Sequence, residues 1–247
     1  MPDTHDAPLF SILIPTLQEG DYLDATLACL AALALPHEVI VSDGGSTDAT
    51  LEIARRHGAR IVEWEGDRRQ TFGEAKNAAA AMARGQYLVF IDADVVIPGP
   101  TAFFEELLGL FARKPKLAGV TVPLLPRADY ARLGDRFFSA PLNFWYVVSN
   151  NLFHYGNASG EFQMFPRALF EKVGGYREDL PGGEDTDMFN RVSRVGRTLS
   201  YWHLAVRHTC RRAHKTGWLR LYGIWMLQGF HVLIFRVAYY AEWKVVR

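Results

Sequence analysis

Cysteine is scarce in this sequence: Cys29 and Cys210 are the two among 247 residues, and their spacing resembles no metal knuckle. That argues against a disulfide framework or a thiolate zinc site and fits reduced thiols in a cytosolic protein. Excess charge is absent too, since 27 basic and 27 acidic residues cancel; no overall field points to nucleic acid as a partner. No apolar run reaches the ~20 residues a bilayer span requires, the cleanest uncharged stretch being residues 221–235. The N-terminal Met1-Pro2-Asp3-Thr4-His5-Asp6 is acidic and lacks an apolar signal core, so export is not expected. Gly-x-Gly-x-x-Gly and the P-loop are both missing, as are internal repeats and low-complexity segments. What is there, 49% apolar residues, suffices for one large domain or one domain with an extension.

Short apolar runs alternate with helical patterns through the first half. Residues 9–14 read as a strand halted by Pro15; Thr16-Leu17-Gln18-Glu19-Gly20 is a polar loop, and Asp21 is placed to cap a helix over 22–34. A second strand, 38–42, ends at Asp43, and Gly44-Gly45-Ser46-Thr47-Asp48 turns into a helix over 49–57 closed by Gly58. Residues 60–64 form a third strand; after a polar segment, an alanine-rich helix over 74–84 stops at Gly85. This rhythm predicts right-handed βαβ units and a mainly parallel sheet flanked by helices.

Residues 86–99 organise the rest. Tyr87 to Ile91 is too short for a helix and rich in β-formers, the pattern of a central strand buried on both faces. It stops at Asp92-Ala93-Asp94, where an open α/β sheet keeps its ligand crevice. Two carboxylates there stay charged only at high cost unless a cation joins them. Oxygen ligands suit Mg²⁺ or Mn²⁺, usually held by one or two carboxylates plus substrate phosphates. Capping the next helix, or facing solvent, is the bland alternative. The Gly44-Gly45 turn poses a similar choice. Its amides and the helix behind it are suited to anionic or ribose oxygens, with Asp43 accepting from a base edge or ribose hydroxyl; it is equally a good turn and cap. Arg68, Lys76 and Asn77 are candidates for diphosphate contacts or, as the alternative, solvated surface.

Further on, 101–113 is an amphipathic helix and 117–123 a strand, while 126–153 is irregular and aromatic. Residues 162–165 make a short strand, Pro166 opens a helix to 173, and 197–206 read as a closing strand. Glu184, Asp185 and Asp187 sit at a helix start, where the dipole favours carboxylates.

Taken in order, Ser11-Ile12-Leu13-Ile14-Pro15-Thr16-Leu17-Gln18-Glu19, Val41-Ser42-Asp43-Gly44-Gly45-Ser46-Thr47-Asp48, Lys76-Asn77 and Asp92-Ala93-Asp94 resemble the family 2 glycosyltransferases over roughly residues 9–210. Gln18 stands where that family more often has Asn. The resemblance implies the GT-A fold, an α/β architecture, and a nucleotide-diphosphate sugar donor. By it, Pro15, Thr16, Glu19 and Asp43 line the nucleoside pocket, with Ala93 among the donor contacts. Asp92 meets the ribose or the metal, and Asp94 holds the metal on the donor diphosphate. His208, following a late strand, resembles a third metal ligand better than His203 or His214 does; a structural histidine is the alternative. Asp185, preceded by Gly182-Gly183, looks like the family's general base, with Glu184 orienting the acceptor. Arg211, Arg212 and Lys215 are placed to steady the departing diphosphate. In similar proteins the aromatic portion lies beside the acceptor; core packing is the other reading. Displacing a nucleoside diphosphate requires neutralised leaving-group charge and a base within about 3 Å of the attacking hydroxyl. One base and no covalent nucleophile implies single displacement with inversion.

The tail, 218–246, is apolar but interrupted by Arg220, Gln228, His231, Arg236 and Glu242. Arg220, His231 and Glu242 recur every eleven residues in one helical stripe, opposite Tyr222, Trp225, Met226, Leu233 and Val237. That favours an amphipathic helix in a membrane interface or on a partner over a spanning segment; packing back onto the catalytic domain is the alternative. The expectation is a GT-A domain over 1–212 with a helical extension over 213–247. The expected activity is that of an inverting, Mg²⁺- or Mn²⁺-dependent glycosyltransferase with a hydroxyl acceptor, glycan or lipid-linked, and the expected place is the cytoplasm at the inner membrane face. A sugar nucleotidyltransferase is disfavoured, because Pro15-Thr16-Leu17-Gln18-Glu19 replaces a glycine- and basic-rich loop after the first strand. A non-catalytic nucleotide-sugar or glycan-binding module is opposed by the joint presence of Asp92, Asp94 and Asp185.

Overall fold

The central apolar runs become strands buried on both faces, and their ends gather the polar loops at one edge. The computed structural model describes residues 7–235 and 237–240. In chain order it runs β1 (Phe10–Thr16), α1 (Leu23–Leu30), β2 (His37–Asp43), α2 (Thr50–Arg56), β3 (Arg60–Glu63), α3 (Phe72–Met82) and β4 (Tyr87–Ile91). There follow α4 (Pro100–Arg113), β5 (Leu117–Thr121), β6 (Leu124–Pro126) and α5 (Asp135–Val147), the last continuing into a π turn at Val148–Leu152. The chain then forms β7 (Phe162–Pro166), α6 (Arg167–Lys172), α7 (Glu184–Ser193), β8 (Arg197–Ser200), β9 (Val206–His208), α8 (Arg211–Thr216) and α9 (Trp218–Phe235).

Seven strands make the main sheet in the order β3-β2-β1-β4-β7-β5-β8, while β6 and β9 form a second, two-stranded parallel ribbon. The first four strands are parallel; β7 alone runs antiparallel to β4 and β5. Alternation along β1 splits the core: Phe10, Ile12 and Ile14 pack with α1 and α4, whereas Leu13 faces Ala79 of α3 and Met188 of α7 across the sheet.

Three local expectations are corrected. Asp21 makes no cap for α1; the cap position is Tyr22, which makes no side-chain capping hydrogen bond. α3 starts two residues earlier than expected because Thr71 and Glu74 form a reciprocal capping box. The single strand expected over 197–206 is two strands in two sheets. Pro123 ends the β5 ladder, and β8 and β9 part at the same level to follow β5 and β6 separately.

Helix α9 packs back on the chain. Leu221, Gln228 and Val232 are buried at helical spacing, and Gln228 and Val232 meet the backbone of Gly183. The Gln228 amide donates to Gly182 O at 2.6 Å, and its carbonyl accepts from the Tyr239 and Tyr240 amides. No helix among the described residues is long and apolar enough to cross a membrane. Met1–Asp6, Arg236, Glu242 and the Leu233 side chain, which figured in the reading of the termini, lie outside that description.

Candidate active site

Past the carboxyl ends of β1, β2 and β4 lies a cavity of about 640 Å³, closed on its far side by the loop before β7, the start of α7, and helices α5, α8 and α9. This is the crevice an open α/β sheet offers to a ligand. Its two ends differ in chemistry.

At the polar end stand Pro15, Thr16, Leu17, Gly44, Arg69 and Gln70. Two buried oxygens here, Glu19 Oε2 and Gln70 Oε1, have no hydrogen-bond partner among the described residues. Such orphans in a cavity wall are where a ligand's N–H or O–H groups fit. The other Glu19 oxygen takes a 2.6 Å bond from Arg211. Burial raises the Glu19 carboxyl above its ordinary pKa, against the pull of Arg211. Asp43, expected in the pocket wall, does not border the cavity; it accepts from the Thr16 hydroxyl at 2.9 Å and from the Ser46 amide at 2.7 Å.

The end of β4 delivers Asp92, Ala93 and Asp94 to the same cavity. Asp94 accepts from the Thr209 hydroxyl and lies 3.4 Å from Arg211 Nε. The Val95 amide donates to the Asp92 backbone carbonyl at 3.2 Å, but no hydrogen bond among the described residues reaches the Asp92 carboxyl group, which burial, with Glu161 adding, pushes well above the usual range. His208, at the end of β9, faces Glu161 at 3.7 Å. Asp92, Asp94, Glu161 and His208 are hard oxygen and imidazole donors, and the raised Asp92 carboxyl marks a place short of positive charge. No three such side chains among the described residues close into a cation cage by themselves. An ion here would need phosphate oxygens to complete its shell.

Opposite these acids, Gly183 takes a left-handed turn at φ 80° and starts α7 with Glu184 and Asp185. Lys76, 1% exposed on α3, donates to Glu184 Oε1 at 2.9 Å and to Asp185 Oδ1. Gln163 of β7 adds a 3.2 Å bond to the same Asp185 oxygen, and Tyr176 holds Gln163 in turn. Burial lowers a lysine's pKa, but Asp185 and Glu184 outweigh it and hold Lys76 well above its ordinary value. Burial first, then Glu184, push the Asp185 carboxyl up to about 7. Asp185 Oδ2 is left on the side of Gly160. A methyl built on that glycine stands 2.8 Å from Asp185 Oδ2 and 3.6 Å from Asp92 Oδ1, so the two carboxylates flank one small space.

A family model described as glycosyl transferase family 2 matches residues 11–174. The chain belongs to that family. It is 29% identical over 256 residues to a validoxylamine A glucosyltransferase of Streptomyces hygroscopicus subsp. jinggangensis, an alignment covering 87% of this chain and 58% of that one. An O-antigen chain rhamnosyltransferase, WbaN of Salmonella anatum, is 26% identical over 82% of this chain and 66% of its own. This chain thus spans somewhat under two thirds of these relatives. Among solved structures, the mannosyltransferase PcManGT of Pyrobaculum calidifontis, in complex with GDP-Man and Mn²⁺, superposes with a TM-score of 0.73 at 21% identity, over 95% of this chain and 66% of that one. Glucosyl-3-phosphoglycerate synthase of Mycobacterium tuberculosis, in complex with Mn²⁺, UDP and glucosyl-3-phosphoglycerate, gives 0.62 at 23% identity, over 93% and 80%. The fold is therefore the GT-A arrangement expected of a family 2 chain.

Within this family 2 site the residues singled out from sequence divide. Pro15, Thr16, Glu19, Lys76, Asp92, Ala93, Asp94, Glu184, Asp185 and His208 all border the one cavity. Arg68 instead pairs with Glu74 on the exposed side of α3, and Asn77 bonds the backbone of Tyr176 at 2.9 Å. Lys76 faces the two carboxylates of α7. Glu161, Gln163 and Gly160, which sequence reasoning passed over, come in on β7 and the loop before it. Nothing local in the sequence marks β7 as inserted between β4 and β5.

Proposed function

We propose that the protein is an inverting glycosyltransferase that moves a sugar from a nucleotide-diphosphate donor to a hydroxyl acceptor. The observation that carries this is the shared space between Asp92 and Asp185 beside Gly160. A diphosphate leaving group held at the β4 end and an acceptor hydroxyl held at α7 would meet across it. The nucleoside fits the polar end, where Glu19 Oε2 and Gln70 Oε1 await donors. The names of the relatives, glucosyl- and rhamnosyltransferases, support transfer of a hexose-type group.

Each step falls to a named side chain. Asp94 and Asp92, with His208 beside them, would hold Mg²⁺ or Mn²⁺, which would supply charge to offset the diphosphate. Arg211, fixed by Glu19 and Asp94, and Arg212 present further positive charge to the leaving group. Asp185 takes the proton from the acceptor hydroxyl; a carboxyl near 7 is matched to that task. Lys76 and Gln163 hold Asp185 Oδ1, leaving Oδ2 as the basic oxygen, and Glu184 neutralises Lys76. With one base and no covalent nucleophile, displacement is single and the anomeric configuration inverts. The exposed Leu219, Leu227, Ile234 and Phe235 of α9 support peripheral contact with a membrane.

A panel of nucleotide sugars screened with and without Mn²⁺ tests the donor half. One member should raise the melting temperature in a Mn²⁺-dependent way, and Asp94→Asn should remove the metal dependence. If no nucleotide sugar binds, or if Asp94→Asn retains full metal-dependent affinity, the reading fails.

A further inference from the structure

The end of the cavity beyond Asp185 is walled by Leu142, Trp145, Tyr222, Trp225, Met226 and Phe230, carried on α5 and α9. Several polar groups on or beside this wall are engaged inside the protein. The Tyr222 hydroxyl donates to Phe138 O, and the neighbouring Trp218 indole donates to Asp135 Oδ1 at 2.9 Å. Gln228 is spent on Gly182 O and the Tyr239 and Tyr240 amides. What remains is carbon surface broken only by the indole N–H groups of Trp145 and Trp225, and it continues outward: Trp145 is 49% exposed, Phe230 55% and Met226 73%. An apolar trough of this kind, open to solvent and continuous with a polar reaction centre, marks a ligand with one polar and one apolar end. A saccharide chain would stack on these rings yet find only the two indole N–H groups to bond, whereas a hydrocarbon chain matches the whole length of the wall. A second protein copy seated here would close the route by which an acceptor reaches Asp185.

We propose that the trough between α5 and α9 holds the hydrocarbon chain of an amphiphilic acceptor, whose hydroxyl-bearing head lies at Asp185. The proposal rests on the glycosyltransferase reading of Asp185 and names the substrate class that reading leaves open. It also separates two faces of α9, since Met226 and Phe230 line the trough while Leu227 lies outside it.

n-Alkyl β-D-glucosides from ethyl to octyl, kept below their micelle concentrations, are titrated into the full chain by calorimetry. Burying a methylene is worth ~0.8 kcal/mol, so affinity should rise about fourfold for each carbon that enters the trough. Met226→Glu and Phe230→Glu, at exposed positions that tolerate the change, should each weaken octyl glucoside at least tenfold, and Leu227→Glu should leave it unchanged. Affinity independent of chain length would overturn the proposal. So would equal losses in all three variants, which signify adhesion to the helix surface such as a membrane contact gives. Tight binding of unsubstituted maltotriose that Met226→Glu abolishes would overturn it in favour of a saccharide subsite. Nucleotide sugars titrated into the same samples keep the two readings apart. Chain-length dependence without nucleotide binding upholds the trough and sinks glycosyl transfer, whereas nucleotide binding without chain-length dependence sinks the trough alone.

Discussion

Lys76 Nζ lies 2.9 Å from Glu184 Oε1, tying α3 to the first turn of α7 across 108 residues of sequence. The same ammonium reaches Asp185, so one buried cation serves a buried and a half-buried carboxylate. Removing one partner from such a group leaves charge stranded out of water.

Lys76→Met should therefore lower stability by about 3–5 kcal/mol in urea denaturation, and adding Glu184→Gln should recover part of the loss. A single variant within about 0.5 kcal/mol of wild type would mean that the cluster carries little net energy.

Much of this site is legible in the chain. Asp92 and Asp94 announce themselves because an apolar run that can only be a buried strand ends in them, and the rules of open α/β sheets place strand ends at the crevice. Asp185 is marked by the turn Gly182-Gly183 and by family resemblance. Lys76 and Asn77 are adjacent in sequence yet do different work. One step along α3 turns a side chain by about 100°, so Lys76 enters the core while Asn77 meets the Tyr176 loop. Residues 126–153 hide α5 because Pro141 interrupts the helical pattern and Phe137, Phe144 and Trp145 face outward, blurring its amphipathic period. Glu161 and Gln163 could not be placed, since a short antiparallel strand carries no local sign of which neighbours it will take.

Gly160→Ala probes the space between the two carboxylates. Its methyl would stand 2.8 Å from Asp185 Oδ2, and Asp185 cannot easily retreat because Lys76 and Gln163 hold its other oxygen. Turnover should fall about a hundredfold, as expected for misplacement of a reacting group, with nucleotide-sugar affinity retained. Near-normal turnover would place the reaction elsewhere in the cavity.

The pH profile follows from Asp185. A base works deprotonated, and burial puts this carboxyl at about 7. kcat/KM should thus rise about tenfold per pH unit below about 7 and level off above it. A flat profile between about pH 5.5 and 8 would assign the acceptor proton to another group.

For the outer face of α9, Leu227→Glu combined with Ile234→Glu should reduce flotation with phosphatidylglycerol liposomes several-fold. Equal flotation of variant and wild type would remove this face from any membrane contact.

Single-turnover transfer by Asp185→Asn, measured with the nucleotide sugar bound to saturation, tests the central assignment most directly. The variant should bind the donor as wild type does and transfer at least a hundredfold more slowly. Transfer within a few-fold of wild type would contradict the account.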